Sequence, residues 1–508
     1  MSSISKRTLA MARVSKSRHG ASNKVAAATQ TNNMIMAWQD DPDSGLAAIS
    51  RPIPNLAKAP LKFRIKGAAV KPGIYQPGTA QFRYWTAAEA LRRGGDFWAP
   101  LLGVTQWEPG PVLPVGLDEG VDLNAYYNRA ELAFFHDTAG GKVVYSGESP
   151  DVVCHELGHA CLDAHRPELF DAPFIEVGAF HESFGDTSAI LSALQLKSVR
   201  LAALSGVKQN KTSQLSRLAE QLGWAIRQVA PSAVEPDCLR NAYNQFNYVN
   251  PQTLPDSAPA TQLSAEAHSF SRVFTGAFYE ILSGMLKIRS SSPSEADLAV
   301  VARDYARLLM DATSAAPVQP DYFAQVASHI IDADTSRFGG KYRSALVTTF
   351  VKRQIIPHAA VEALLAFKGK VPKTAVGVTA VPAGRPQIHK VQLRARDFGL
   401  ADRPLIVRAP VERKSFLMVS AALLHKYGEP RINIEQATHR FVETLFARKC
   451  VDTESGTRKL GAAKRTHQHL RKTHVLIDSP EGLKLVRRLF DCGAAVANLP
   501  SNAKALKV

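Results

Sequence analysis

Residues 151–159 read DVVCHELGH. On a helix, side chains four apart share one face with Cβ atoms about 5–6 Å apart. That spacing lets ring nitrogens of His155 and His159 converge on one tetrahedral zinc ion. Glu156 lies one step round from His155, where its carboxylate reaches a metal-held water rather than the metal. The pattern is H-E-x-x-H, which makes His155 and His159 candidate zinc ligands and Glu156 a candidate general base. The flanking thiols Cys154 and Cys161 read as small core residues of the helix, not as further ligands.

Two residues compete for third ligand, and they imply different kinds of zinc peptidase. His165 would complete H-E-x-x-H-x-x-x-x-x-H, the spacing of metzincins, in which a glycine three residues after the second histidine turns the chain back. Leu162 occupies that position here, a strong helix former that carries His165 away from the metal. The other candidate lies in HESFGDTSAI, residues 181–190, where Glu182 and Asp186 are four apart on a second helix. One carboxylate can ligate zinc while the other accepts a hydrogen bond from the free N–H of a ligand histidine. A loop containing Pro167 and Pro173 allows the two helices to pack antiparallel.

With these segments in hand, the chain resembles the thermolysin-like metallopeptidases, the branch that holds zinc with two histidines and a glutamate. NAYYN, residues 124–128, is similar to the family's substrate-pairing edge strand, which implies main-chain substrate contacts at Asn124 and Ala125. Asp151 precedes the helix as an acidic calcium ligand does in that family. Glu182 and Asp186 match its E-x-x-x-D, with Asp186 supporting a ligand histidine. Arg240, in CLRNAY, resembles the arginine that meets the substrate carbonyl. His268, in HSFSRVFTGAFY, resembles the histidine that stabilises the oxyanion. The resemblance covers residues 124–356 and implies zinc as cofactor, with calcium possible through Asp151.

The chain also departs from that family. Residues 160–181 contain no tyrosine, so oxyanion stabilisation would rest on His268 and the metal. Leu263 stands where an acidic residue orients the histidine, and Glu266 is the available substitute. The further carboxylates of the family's calcium sites are not evident.

The remaining sequence sets the frame. With 508 residues, 45% hydrophobic and 21% charged, the chain suits several globular domains. No run approaches the length of about 18 apolar residues that a membrane helix needs. Residues 1–60 read as a disordered basic arm, with Lys6, Arg7, Arg13, Lys16, Arg18 and Lys24 ahead of the first acid, Asp40. The arm lacks the apolar centre of a Sec-type leader, which leaves a cytoplasmic chain or export by a leaderless route. Residues 61–150 read as strand-rich, with a helix at 86–101 and strands at 122–129, 131–136 and 142–145. Residues 151–366 read as successive helices, among them 213–229, 269–286, 296–312 and 340–352. Residues 367–386 read as a linker, and 387–508 as a small basic α/β module with a strand-then-helix pattern at 473–492. The expected fold is therefore α+β: a thermolysin-like core with a strand-rich N-terminal lobe and a helical C-terminal lobe, plus that module.

Five cysteines in so long a chain form no disulfide framework. The formal charge is +17. Residues 381–508 contain 24 Lys and Arg against 11 Asp and Glu, an excess of +13. That asymmetry suggests either a solubilising surface or an acidic partner such as nucleic acid. The expectation is a zinc endopeptidase acting on protein or peptide substrates. Its rival is a zinc-bound binding protein without turnover, whose basic module does the binding.

Overall fold

The computed structural model describes residues 33–360, 387–411, 433–453 and 472–493. The expected linker lies outside them. Mixed helix and strand build the protein. Ten helices longer than two turns run through the described residues: α1 (Ala80–Leu102), α2 (Pro150–His165), α3 (Ile175–Ala193), α4 (Lys197–Gln209), α5 (Glu220–Val229), α6 (Ala267–Arg289), α7 (Glu295–Ala315), α8 (Tyr322–Phe338), α9 (Arg343–Lys352) and α10 (Ile434–Ala447).

Helix α2 begins where its sequence can satisfy it. Ser149 accepts a hydrogen bond from Val152 N, and Pro150 takes the first helical position, where its missing N–H costs nothing. Helix α3 is buried along all 19 of its residues. Helices α1, α2, α6 and α8 surround it. The approach of α2 to α3 depends on two glycines. A Cβ on Gly158 would lie 2.7 Å from Ser188 Cβ and 2.9 Å from Gly185 Cα, while a Cβ on Gly185 would lie 2.7–2.9 Å from three atoms of the His155 ring.

The strands are β1 (Met34–Ala37), β2 (Ile49–Pro52), β3 (Lys62–Ile65), β4 (Val112–Gly116), β5 (Ala125–Tyr127), β6 (Leu132–Phe134), β7 (His136–Ala139), β8 (Lys142–Tyr145), β9 (Arg217–Leu218) and β10 (Arg240–Asn241). In the C-terminal module follow β11 (Gln387–Arg394), β12 (Pro404–Val411), β13 (Val451–Asp452), β14 (His474–Ser479), β15 (Gly482–Arg487) and β16 (Phe490–Asp491). Strands β11–β15 form one sheet in the order β11-β12-β15-β14-β13, with α10 beside it. Strand β16 leaves that sheet and joins the N-terminal one, whose order is β16-β5-β6-β4-β3.

Several expectations are corrected. Residues 33–60 are not part of an arm, since β1 and β2 pair antiparallel there and Ile35 and Ala37 are fully buried. The helix expected over 213–229 begins only at Glu220. Ala219 adopts φ 52° and β9 pairs with β10, so the chain turns before it coils. The helix expected toward Cys492 is a strand. Ser479, Pro480 and Gly482 supply the residues of a tight turn, and β14 pairs antiparallel with β15 from His474↔Arg487 to Ser479↔Gly482. The apolar residues of GLKLVRRLF sit at helical spacing, but cross-strand pairing prevails. Among the described residues no single helix is long and apolar enough to cross a membrane.

Gly158→Ala will force α2 and α3 apart. We expect a loss of about 1–3 kcal/mol, the usual cost of overpacking, seen as a lower denaturant midpoint at unchanged slope. A helical glycine with open space would instead gain about 0.5–1 kcal/mol from the same change.

Candidate active site

Helices α2 and α3 bring the predicted ligands together. His155 and His159 face α3, and their Nε2 atoms are 3.1 Å apart. Glu182 Oε2 lies 3.3 Å from His155 Nε2 and 3.8 Å from His159 Nε2. All three residues are buried, and Glu182 Oε2 accepts no well-formed hydrogen bond. An ion held tetrahedrally at 2.0–2.1 Å spaces its ligand atoms by about 3.3 Å, so this trio has the separations such an ion requires. Glu156 occupies the same space: donor atoms of His155, Glu156 and His159 lie within 4.8 Å of one another, and the Glu156 oxygens are also unsatisfied. Two carboxylates therefore border one pair of imidazoles.

Their environments separate them. Burial opposes ionisation of Glu182, but the nearby His268 and His159 overcome it and hold this carboxyl well below its usual range. Burial dominates at Glu156 and pushes it up to about 8, although His155 pulls the other way. One group is a fixed anion. The other is held toward its protonated form.

Asp186, Arg240 and His268 lie around these groups. Asp186 Oδ1 is 3.1 Å from His155 Nδ1 and takes 2.8 and 3.2 Å hydrogen bonds from Arg240 Nη2 and Nε. Arg240 chiefly, then His155, offsets the burial of Asp186 and holds it at about 2. His268 Nε2 is 3.1 Å from Glu182 Oε2, and its Nδ1 is 2.7 Å from Glu266 Oε1. Glu266 is thus the carboxylate paired with His268. Burial alone would lower the His268 pKa, but Glu182 and Glu266 keep it well above the ordinary value. Arg240 reaches the site because β10 pairs with β9. Its Nη2 also lies 3.5 Å from His155 Nδ1.

His165 is not a ligand candidate in the folded chain. Its Nδ1 faces Leu102 O and its Nε2 faces Ser314 Oγ, both at 2.8 Å.

Four residues near the site were not singled out from sequence. His181 Nδ1 meets His159 Nδ1 at 2.9 Å, so it sets the orientation of that ring; its place next to Glu182 was the available signal. Phe490 stacks on His181 and His159 with centroids 4.0 and 5.0 Å away. Cys492 lies with its thiol against His155 and Glu156. Gly493 N donates to Asn124 Oδ1 at 2.8 Å. Nothing near residues 490–493 in sequence signals this position. All five cysteines are free and buried, as the sparse set implied.

Asn124 and Ala125 are buried at the start of β5; Ala125 O accepts from Cys492 N, and the main-chain carbonyl of Asn124 is already taken by Ser146 Oγ. Asp151 points elsewhere. With Asp40, Asp41 and Glu220 it forms a second buried acidic cluster, in which Asp151 Oδ2 accepts from Ala219 N. Among the described residues these four do not close into a group of cation size.

A scan of protein-family models and a search of curated proteins found no match to this chain.

The acidic cluster makes a pH prediction. Burial first, then Asp41 and Asp40, push Glu220 up to about 9. Such a group keeps a proton in the folded chain that the unfolded chain has released. Its contribution to stability is complete below about pH 4.5 and is lost as pH rises toward about 9. Glu220→Gln keeps the shape and removes the titration. Its thermal midpoint should therefore fall less steeply than that of wild type between about pH 5 and about pH 9, and parallel curves would refute the assignment.

Proposed function

We propose that this protein is a zinc-dependent endopeptidase with a thermolysin-like core, in which His155, His159 and Glu182 hold the metal. One observation carries the reading. Glu182 Oε2 stands 3.3 and 3.8 Å from two Nε2 atoms that are themselves 3.1 Å apart, and Glu156 borders the same two histidines.

Zinc bound there would lower the pKa of a water molecule and polarise a scissile carbonyl. The protein's own groups do the rest. Asp186 accepts from His155 Nδ1 and His181 pairs with His159 Nδ1, which fixes both rings with Nε2 directed at Glu182. Glu156 takes the proton from the attacking water and returns it to the leaving amine. His268, backed by Glu266, donates to the oxyanion as it forms. Arg240, clamped by Asp186, offers a fixed cation to a substrate carbonyl. Asn124 Oδ1 and Ala125 O present acceptors to N–H groups of an extended peptide laid along β5.

A segment of the chain lying across this cleft favours a second reading, a zinc-bound binding protein without turnover. Zinc in wild type with no cleavage, even after the cleft is freed, would support it. The excess charge of the basic module fits an acidic partner such as nucleic acid. In the folded chain, however, some of that charge is used internally, since Arg440 pairs with Asp256 at 2.8 Å and the half-buried Arg487 sits over Phe490.

Hydrolysis of a generic protein by Glu156→Ala should fall by about 10²–10⁴ with zinc content unchanged, whereas His159→Ala should lose the zinc. Zinc retained by His159→Ala, or cleavage by Glu156→Ala at the wild-type rate, would sink the proposal.

A further inference from the structure

We infer that Cys492 is a fourth protein ligand for the metal, delivered by a strand that occupies the substrate's place, so that the folded chain is latent. This rests on the peptidase reading and specifies how its site is closed. The strand comes from the C-terminal module. Phe490 pairs with Tyr127 and Asp491 with Tyr126, antiparallel to β5. The pairing then continues through Cys492 N, which donates to Ala125 O at 2.9 Å, and Gly493 N, which donates to Asn124 Oδ1 at 2.8 Å. Asn124 Nδ2 approaches Asp491 Oδ2 at 3.4 Å. Asn124 and Ala125 are the residues expected to make main-chain contacts with substrate; Ala125 O is engaged by Cys492 N, and Asn124 is engaged by Gly493 N through its side chain.

The mimicry extends past the backbone. His268 Nε2 donates to the carbonyl oxygen of Asp491, as it would to a substrate carbonyl. Phe490 fills the space beside His159, His181 and Phe170, with its ring edge-on to Phe170 at 5.3 Å and the Arg487 guanidinium 4.2 Å from its centre. Gly493 is needed at its position, because a Cβ there would lie 2.6 Å from Leu123 O and 2.7 Å from Asn124 Oδ1. Between these anchors the buried Cys492 side chain lies against His155 and Glu156.

Chemistry then assigns the sulfur a role. A thiolate is a strong zinc ligand at about 2.3 Å, and two His, one Glu and one Cys make a closed tetrahedral set, whereas catalytic zinc keeps one position open for water. On ligation the thiol releases its proton. The unsatisfied oxygens of Glu156 and Glu182 border the place where sulfur, metal and water would compete. A groove of about 370 Å³, lined in part by Arg240, His268, Arg272 and Arg448, leads to Cys492, so small reagents have a path to it.

The experiment uses the full chain loaded with cobalt(II) or zinc, comparing wild type with Cys492→Ser and Cys492→Ala. Cobalt-loaded wild type should show a near-ultraviolet thiolate-to-cobalt charge-transfer band that both variants lack at equal cobalt content. In zinc-loaded wild type, alkylation of Cys492 should be slow and should accelerate when a chelator removes the metal. Both variants should cleave a generic protein about tenfold faster or more, as expected when an open state populated at about 10% or less becomes the whole population. Full metal content with no cobalt–sulfur band overturns the inference and leaves the peptidase reading standing. A band in wild type with no cleavage by any variant supports the ligand assignment and defeats the peptidase reading. A chain that binds no metal defeats both. Should Cys492→Ser unfold, the band and the alkylation rate of wild type alone decide the matter.

Discussion

Two carboxylates one turn apart, Glu182 and Asp186, sit on a helix with no exposed face, and the neighbouring elements are arranged to neutralise them. Taking an ion out of water costs several kcal/mol even after the protein relaxes, so neither group can stay charged in α3 without partners. Asp186 receives Arg240 from β10, His155 from α2 and Thr275 from α6. Glu182 receives three imidazoles, His155 and His159 from α2 and His268 from α6. Even these leave Glu182 Oε2 without a well-formed hydrogen bond. The charge of these carboxylates and the packing of the core are therefore one electrostatic problem.

That coupling explains why so much of the candidate site could be read from sequence. Residue types that ligate zinc are costly to bury, and a spacing of four residues fixes which of them share a helix face, so His155, His159, Glu182 and Asp186 identified themselves. Leu162 correctly removed His165, because a strong helix former cannot turn the chain back, and His165 instead meets Leu102 O and Ser314 Oγ. The part played by Glu266 was also visible, since a carboxylate two residues before a histidine at a helix start has few other places to point.

Local pattern gave a poorer account where long-range pairing settles the conformation. Residues 482–490 have apolar spacing that suits a helix, yet the turn at Ser479–Pro480–Glu481–Gly482 commits them to a hairpin and delivers Phe490 to a strand 367 residues away by the Asn124–Asp491 contact. Cys492 was therefore just one of five sparse thiols. The close approach of α2 to α3 was equally hidden. Gly158 and Gly185 matter for what lies opposite them, and no sequence window contains both sides of that contact.

Strand β5 concentrates the tension in the proposed function. A peptidase that binds extended chains must keep one sheet edge able to pair, and an edge able to pair is open to any strand that reaches it. Here the C-terminal module supplies that strand, held through the contacts of Arg440, Thr444 and Arg448 with Leu254 and Asp256 beside α6. The pairing itself is short, two residues of ladder plus the N–H groups of Cys492 and Gly493. At about 0.5–1.5 kcal/mol net per hydrogen bond, it is too weak to seal the cleft alone. Closure must draw most of its strength from the docked module, from Phe490 against the imidazoles and, on the proposed reading, from sulfur on the metal. A latch built this way opens as a unit. On that reading, releasing the module from Asp256 or freeing the thiol each weakens the same short strand, and an extended peptide would follow β5 once either contact is lost.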